Sequence, residues 1–290
     1  MEKSLCKIAF VGTAVSFTLY LLFGANKFVR SFIDLHGSDP ATVSAKYHVP
    51  FAPSKPLIAI AWPLDFISTM IAELYLISIV HQKQIFPKVF YLSWIVGAVT
   101  SSIWTFAFAK ELHVISFASI ILKLLLLGMQ LTVGMIVMKK SEVITERQRW
   151  FLERIVMDSL GILTTWTITA FSAIVTHVLA WEYSAHLEVP VFRDWISFEV
   201  ACIAGIGTLV TSFAIWTICD LVLFPSYTSC IRTVYPMYVF GGIGIFLSNY
   251  DAEKGLNGYN VICLILGLVA SVIFIYRNKI KGDANKQKDF

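Results

Sequence analysis

Eight apolar stretches, each long enough to cross a bilayer, fill most of this chain and fix the solvent in which it folds. They run about 8–28, 57–81, 89–109, 114–138, 154–181, 196–224, 227–248 and 259–277. A bilayer core takes about 20 apolar residues per helix. The pattern therefore predicts an all-α, polytopic transmembrane helical bundle of about eight spans, built as a single domain over residues 1–290. Charged residues are only 14% of the chain against 57% hydrophobic, whereas a soluble domain is about a quarter charged. The longest gap between spans, 29–56, leaves no room for a separate globular domain.

The lysines and arginines orient the bundle, because cytoplasmic loops carry their excess. With eight spans, both termini share a side with the loops after spans 2, 4 and 6. That side holds fifteen of the 23 basic residues, including Lys83, Lys139, Lys140, Arg147, Arg149 and the 277–288 cluster. The opposite side holds seven, two of which, Lys27 and Arg30, lie just beyond span 1 and oppose the bias. Both termini are thus expected in the cytoplasm, and the net charge of +4 reads as topology, not as a nucleic-acid footprint. Lys3 and Lys7 precede an apolar run longer than a signal-peptide core, with no A-x-A site after it, so span 1 reads as a retained anchor. The basic tail, 278–290, ends Lys286-Gln287-Lys288-Asp289-Phe290, a K-x-K-x-x pattern of the kind that retrieves membrane proteins to the endoplasmic reticulum; a plain stop-transfer tail leaves the plasma membrane as the alternative.

Cysteines 6, 202, 219, 230 and 263 lie in or beside spans and form no CxxC pair, so no disulfide framework is legible. The 29–56 loop carries Pro40, Pro50, Pro53 and Pro56, a spacing that breaks helices and suits a cap on the outer side. Residues 139–153 read as an interfacial turn of helix with Trp150 and Phe151 at headgroup level. In span 6, Ala204, Thr208 and Ser212 recur at i, i+4, i+8 beside Gly205 and Gly207, and span 7 carries Gly241, Gly242 and Gly244. Such small residues let helices approach closely in lipid, within one chain or in a homo-oligomer.

Polar groups inside the spans carry the functional signal, since each costs roughly 2.5–3.5 kcal/mol on insertion scales. Asp65, Thr69 and Glu73 share one face of span 2 at i, i+4, i+8. Lys123 in span 4 sits at nearly the depth of Asp65, so pairing of the two offsets part of the cost. Glu73 has no basic group at its depth. Asp158 and Asp220 near the inner ends of spans 5 and 6 match Arg154 and Arg232 in depth and read as an ion-pair network. His177, Glu182, His186 and Glu199 do not have the spacing of a metal site, and neither a metal nor a cofactor is expected. No G-x-S-x-G, H-E-x-x-H or phosphate loop is present.

Short motifs along 45–250 add a likeness. Pro50-Phe51-Ala52-Pro53 leads into Ile60-Ala61-Trp62, Ser102-Ile103-Trp104-Thr105-Phe106 follows in span 3, and Leu160 to Trp166 opens a Gly-and-Trp helix. With the stretches Asp220–Tyr235 and Gly241-Gly242-Ile243, this order resembles extended relatives of the tryptophan-rich sensory protein, or translocator protein, family. The W-x-x-L-Y motif is incomplete, since Pro63 and Asp65 follow Trp62, and eight spans exceed the five of the core family. The resemblance implies an aromatic pocket for an apolar, planar molecule such as a sterol or porphyrin, with Trp62, Trp104 and Trp166 as its walls.

The sequence thus predicts a protein that binds or translocates a small amphipathic ligand, with those tryptophans as walls and Asp65, Glu73 and Lys123 as the polar contact. Two alternatives stand beside it: a membrane scaffold without a ligand, and a lipid-modifying enzyme using Glu73 or Asp158. The partners the sequence offers are the lipid bilayer, this ligand and further copies of the chain in a homo-oligomer; nucleic acid is not among them.

Overall fold

The computed structural model describes residues 2–24, 42–43, 46–47, 49–79, 85–142, 144–181, 196–250 and 257–286. Their regular structure is helical: α1 (Glu2–Gly24), α2 (Lys55–Ile79), α3 (Lys88–Ala109), α4 (His113–Lys140), α5 (Glu146–Phe151), α6 (Asp158–Trp181), α7 (Phe198–Ile218), α8 (Pro225–Thr228), α9 (Val234–Asn249) and α10 (Gly258–Lys286). A π-helical turn, Leu152–Met157, joins α5 to α6, and a second, Cys219–Leu223, extends α7. Seven of these helical stretches are long and apolar enough to cross a membrane, so the chain is an all-α polytopic bundle. Much of the 29–56 loop, all of 182–195 with Glu182 and His186, and the tail from 287 onward with Lys288 lie outside the described residues.

The expected span over 227–248 takes a different form. Arg232 and Thr233 interrupt it, and the helix proper, α9, has 16 residues, about 24 Å at 1.5 Å per residue. Both of its ends are nevertheless fixed at opposite levels of the bundle. Near its start Thr233 Oγ1 donates to the carbonyl of Asp158 (2.5 Å), and at its end Asn249 Nδ2 donates to the carbonyl of Ala52 (3.0 Å). A helix can be this short because the linker before it, 224–233, is itself folded into the inner layer.

The bundle is apolar on its outside, as lipid requires. On α2, Ile60, Ile67, Ile71 and Leu74 are about half exposed, while Ala61, Asp65, Thr69, Ala72, Glu73 and Leu76 are buried. The polar residues are therefore the inward ones, kept away from lipid. Helix α1 packs on both α2 and α3, α4 on α3 and α6, and α10 on α9.

Close approaches fall where small residues sit. A Cβ on Gly242 of α9 would lie 2.4 Å from the carbonyl oxygen of Cys263 on α10, and one on Gly205 would lie 2.1 Å from Thr176 Oγ1 on α6. In α7 the packing face thus runs through Gly205 and not along Ala204, Thr208 and Ser212, which are half-buried. The Thr208 and Ser212 hydroxyls bond back to carbonyls of their own helix, at 2.9 and 2.8 Å.

Within 139–153 the expected turn of helix forms as α5. Thr145 caps it in a reciprocal box with Gln148, leaving Trp150 exposed and Phe151 against Tyr75 of α2. Arg149 reaches back to the carbonyls of Met138 and Ser141, neutralising the carboxyl end of α4.

Candidate functional site

The inward face of α2 meets α1, α3, α4 and α6 around a cavity of about 30 Å³. Asp65 and Thr69 line it from α2, Thr13 from α1, Trp94 from α3, and Lys123 and Gln130 from α4. Helix α2 can offer a carboxylate here because Asp65 and Thr69, one turn apart, stack on one face. Asp65 is 1% exposed and Lys123 7%.

Both line the cavity, yet among the described residues no ion pair within 4 Å joins them. Four lining residues carry a buried polar atom with no hydrogen-bond partner: Asp65 Oδ1, Thr69 Oγ1, Trp94 Nε1 and Gln130 Oε1. Buried polar groups are almost always satisfied. Four orphans converge on one cavity between Asp65 and Lys123, which makes it the candidate site.

Glu73 does not line the cavity. Two turns along α2, its Oε1 accepts a 2.8 Å hydrogen bond from Thr13 Oγ1, whose side chain does line it. The basic partner that the sequence lacked at this depth is replaced by a hydroxyl on α1.

The aromatic residues assemble one layer outward. Trp62 stacks on Trp104 (ring centroids 4.7 Å apart, planes at 21°), and Trp166 meets Trp62 edge-on at 6.2 Å. These three border a second cavity, about 40 Å³, with Ile58, Phe108 and Ala170. The same three helices supply both cavities: Ile58, Trp62, Asp65 and Thr69 from α2, Trp94, Ser101, Trp104 and Phe108 from α3, Leu163 and Trp166 from α6. One seam therefore carries a polar chamber and, above it, an aromatic one. No protein-family model, curated protein or solved structure matches this chain. The site rests on its own geometry.

Stacked rings extend the seam to the outer end of the bundle. Phe108 stacks on Trp104 (5.2 Å), and His177 stacks on Phe108 (5.7 Å). At the top, His177 and His113 lie 5.4 Å apart, edge to face, with the Tyr47 ring against both. Glu111, in the α3–α4 turn, accepts from Lys46 Nζ and Tyr47 Oη at 2.5 Å each. Burial by itself would raise its pKa, but these two bonds outweigh it and hold the carboxyl below the usual range. Burial, followed by the bond to Glu111, pushes the Tyr47 hydroxyl up.

Glu111 adopts a left-handed backbone, φ 59°, a conformation that costs an L-residue roughly 1–2 kcal/mol. The turn thus holds a carboxylate where glycine would be unstrained. This outer cluster escaped the sequence reading. His113 opens a span, and its pairing with His177, 64 positions away in the chain, depends wholly on how α4 packs against α6.

The inner charges form two locks. Asp158 accepts from Arg154 (3.1 Å) and from the backbone N–H of Arg232 (2.7 Å). Asp220 takes Arg277 of α10, at 2.8 Å, and the hydroxyl of Tyr235, at 2.9 Å. The expected network is present, with Arg277 where Arg232 was anticipated and the main chain of Arg232 in place of its side chain.

Proposed function

We propose that the chain binds, and moves along the seam between α2, α3 and α6, a small amphipathic molecule. Its polar part occupies the chamber between Asp65 and Lys123, and its apolar part lies against Trp62, Trp104 and Trp166. The observation that carries this reading is the buried, separated Asp65–Lys123 pair around a chamber of unpartnered polar atoms, directly beneath an aromatic one. A structural ion pair in hydrocarbon would be expected to close into contact, since only good geometry offsets desolvation. The likeness to the tryptophan-rich sensory protein family points to a planar apolar ligand. A cavity of about 40 Å³ is far smaller than a sterol or a porphyrin, so such a ligand enters only when the Trp62–Trp104 stack parts.

Saturable quenching of tryptophan fluorescence by protoporphyrin, or energy transfer to a fluorescent sterol, in reconstituted protein tests this. Trp104→Ala should abolish the response, and an unchanged response removes Trp104 from the site. The scaffold alternative is favoured by the density of the ring stack, and it makes Asp65 and Lys123 structural. It expects a D65L/K123L double variant to keep both its fold and any ligand response, whereas the binding reading expects the response to be lost.

The same proposal places both termini in the cytoplasm, with Lys286 and Lys288 as a retrieval signal to the endoplasmic reticulum. Alanine at both should redistribute a fluorescently tagged chain, and an unmoved protein would discard the signal.

A further inference from the structure

We propose that Thr13 and the chamber beside Asp65 form a proton relay linking the two buried carboxyls of α2, Asp65 and Glu73. The two acids are eight residues apart on one helix, about 12 Å along its axis, too far for direct exchange. Three observations bridge that distance. Thr13 Oγ1 donates to Glu73 Oε1 at 2.8 Å. The Thr13 side chain also lines the chamber onto which Asp65 opens. That chamber, about 30 Å³, has room for about two water molecules at 10–15 Å³ each, and Asp65, Thr69, Trp94 and Gln130 give them the polar partners buried water needs. A chain of Asp65, two waters, Thr13 and Glu73 has four steps of about 2.8 Å, or roughly 11 Å in all, which matches the gap.

The neighbouring hydroxyl does not compete for this role. Ser16, one turn along α1, lies 2.9 Å from the carbonyl oxygen of Ala98 and 2.7 Å from Ser102 Oγ. Of these two hydroxyls, Thr13 is the one bonded to a carboxyl. The titratable groups facing the path are Lys123 from α4 beside Asp65, Cys6 from α1 near Glu73, and Tyr91 from α3 near Cys6. The remaining polar side chains on the chamber are hydroxyls, an amide and an indole.

One passage moves a single proton and leaves the wire unchanged. The acid proton of Asp65 passes to the first water, which gives one of its own to the second. The second water protonates Thr13 Oγ1 as the original Thr13 hydroxyl proton moves to Glu73 Oε1. Each transfer breaks one O–H bond and makes another. Asp65 ends as a carboxylate, Glu73 as a carboxylic acid, and both waters and Thr13 are regenerated. No oxidant or reductant takes part.

Full-length protein reconstituted in vesicles holding a pH-sensitive dye, and driven by a potassium diffusion potential, provides the test. Wild type should carry protons faster than protein-free vesicles. Thr13→Val, nearly the same shape but without the hydroxyl, should slow the flux at least tenfold, while Thr13→Ser keeps it. Glu73→Gln retains an acceptor for Thr13 but no site for the proton, and should also stop the flux; it serves as the second probe should the valine variant fold poorly. Flux in Thr13→Val equal to wild type, or wild-type flux no greater than that of empty vesicles, overturns the proposal. Tryptophan quenching by protoporphyrin in Glu73→Gln, whose side chain does not line the chamber, reports separately on the ligand site and should be unchanged, so failure of one reading is distinguishable from failure of the other.

Discussion

Arg277 Nη2 lies 2.8 Å from Asp220 Oδ1, with the two side chains 5% and 1% exposed. The guanidinium also donates to the carbonyl of Thr228, and Tyr235 donates to the other carboxylate oxygen. One buried pair thus ties α10 to the π turn after α7, to α8 and to the start of α9. The pair fixes the folded linker that allows α9 to be short.

Breaking this pair from one side should be expensive, because it leaves an uncompensated charge in a dry site. Arg277→Leu is expected to lower stability by about 3–5 kcal/mol, measured as a shift of the thermal unfolding midpoint in detergent. The double variant D220L/R277L should be the milder of the two, since apolar side chains of similar volume can replace a buried ion pair. A double variant worse than Arg277→Leu would show that Asp220 has a second, independent task.

Adjacent glycines in α9 should respond oppositely to alanine. A Cβ on Gly242 would meet main-chain atoms of α10, the carbonyl of Cys263 at 2.4 Å and the nitrogen of Gly267 at 3.0 Å, and backbone cannot move aside. A Cβ on Gly241 meets nothing within 4 Å. Gly242→Ala should cost about 1–3 kcal/mol through overpacking, whereas Gly241→Ala should be neutral or gain up to about 1 kcal/mol of helix propensity. Equal unfolding midpoints for the two variants would mean that α9 and α10 do not approach as described.

The Lys46–Glu111–Tyr47 cluster predicts a pH dependence with a definite sign. Glu111 titrates below its ordinary range in the folded protein, so its contribution is complete at neutral pH and is lost as the pH falls through that lowered value. Glu111→Gln should therefore be less stable than wild type at neutral pH, and the difference should shrink on acidification. Lys46 is 58% exposed, so solvent screening keeps the pair to under about 1 kcal/mol, and added salt should reduce it further. A difference that grows in acid would reverse the assignment.

The carboxylates and the lysine show how far residue spacing reaches. Asp65, Thr69 and Glu73 were legible as one face of α2 from a periodicity of four, and Lys123 as the match of Asp65 in depth from counting residues along two spans. Both inferences use the 1.5 Å rise of a helix, which sequence carries directly. Counting could not say that α1 lies against α2 and α3 with Thr13 facing Glu73. Nor could it say that the Asp65–Lys123 pair stays apart around a chamber. Lateral placement in a bundle depends on side-chain packing among helices that are all apolar and so look alike in sequence.

What the sequence determined by itself was the solvent and the helical class. Each follows from the demand that apolar runs of about 20 residues bond their own backbone in lipid. Tertiary structure decided the rest: that Trp62 and Trp104 stack with Trp166 edge-on to them, that Arg277 and not Arg232 neutralises Asp220, and that His113 and His177 meet. Each of these joins residues on different helices, and their meeting is set by which faces interlock. In lipid that choice rests on shape and on a few polar contacts, because hydrophobicity no longer distinguishes one apolar face from another.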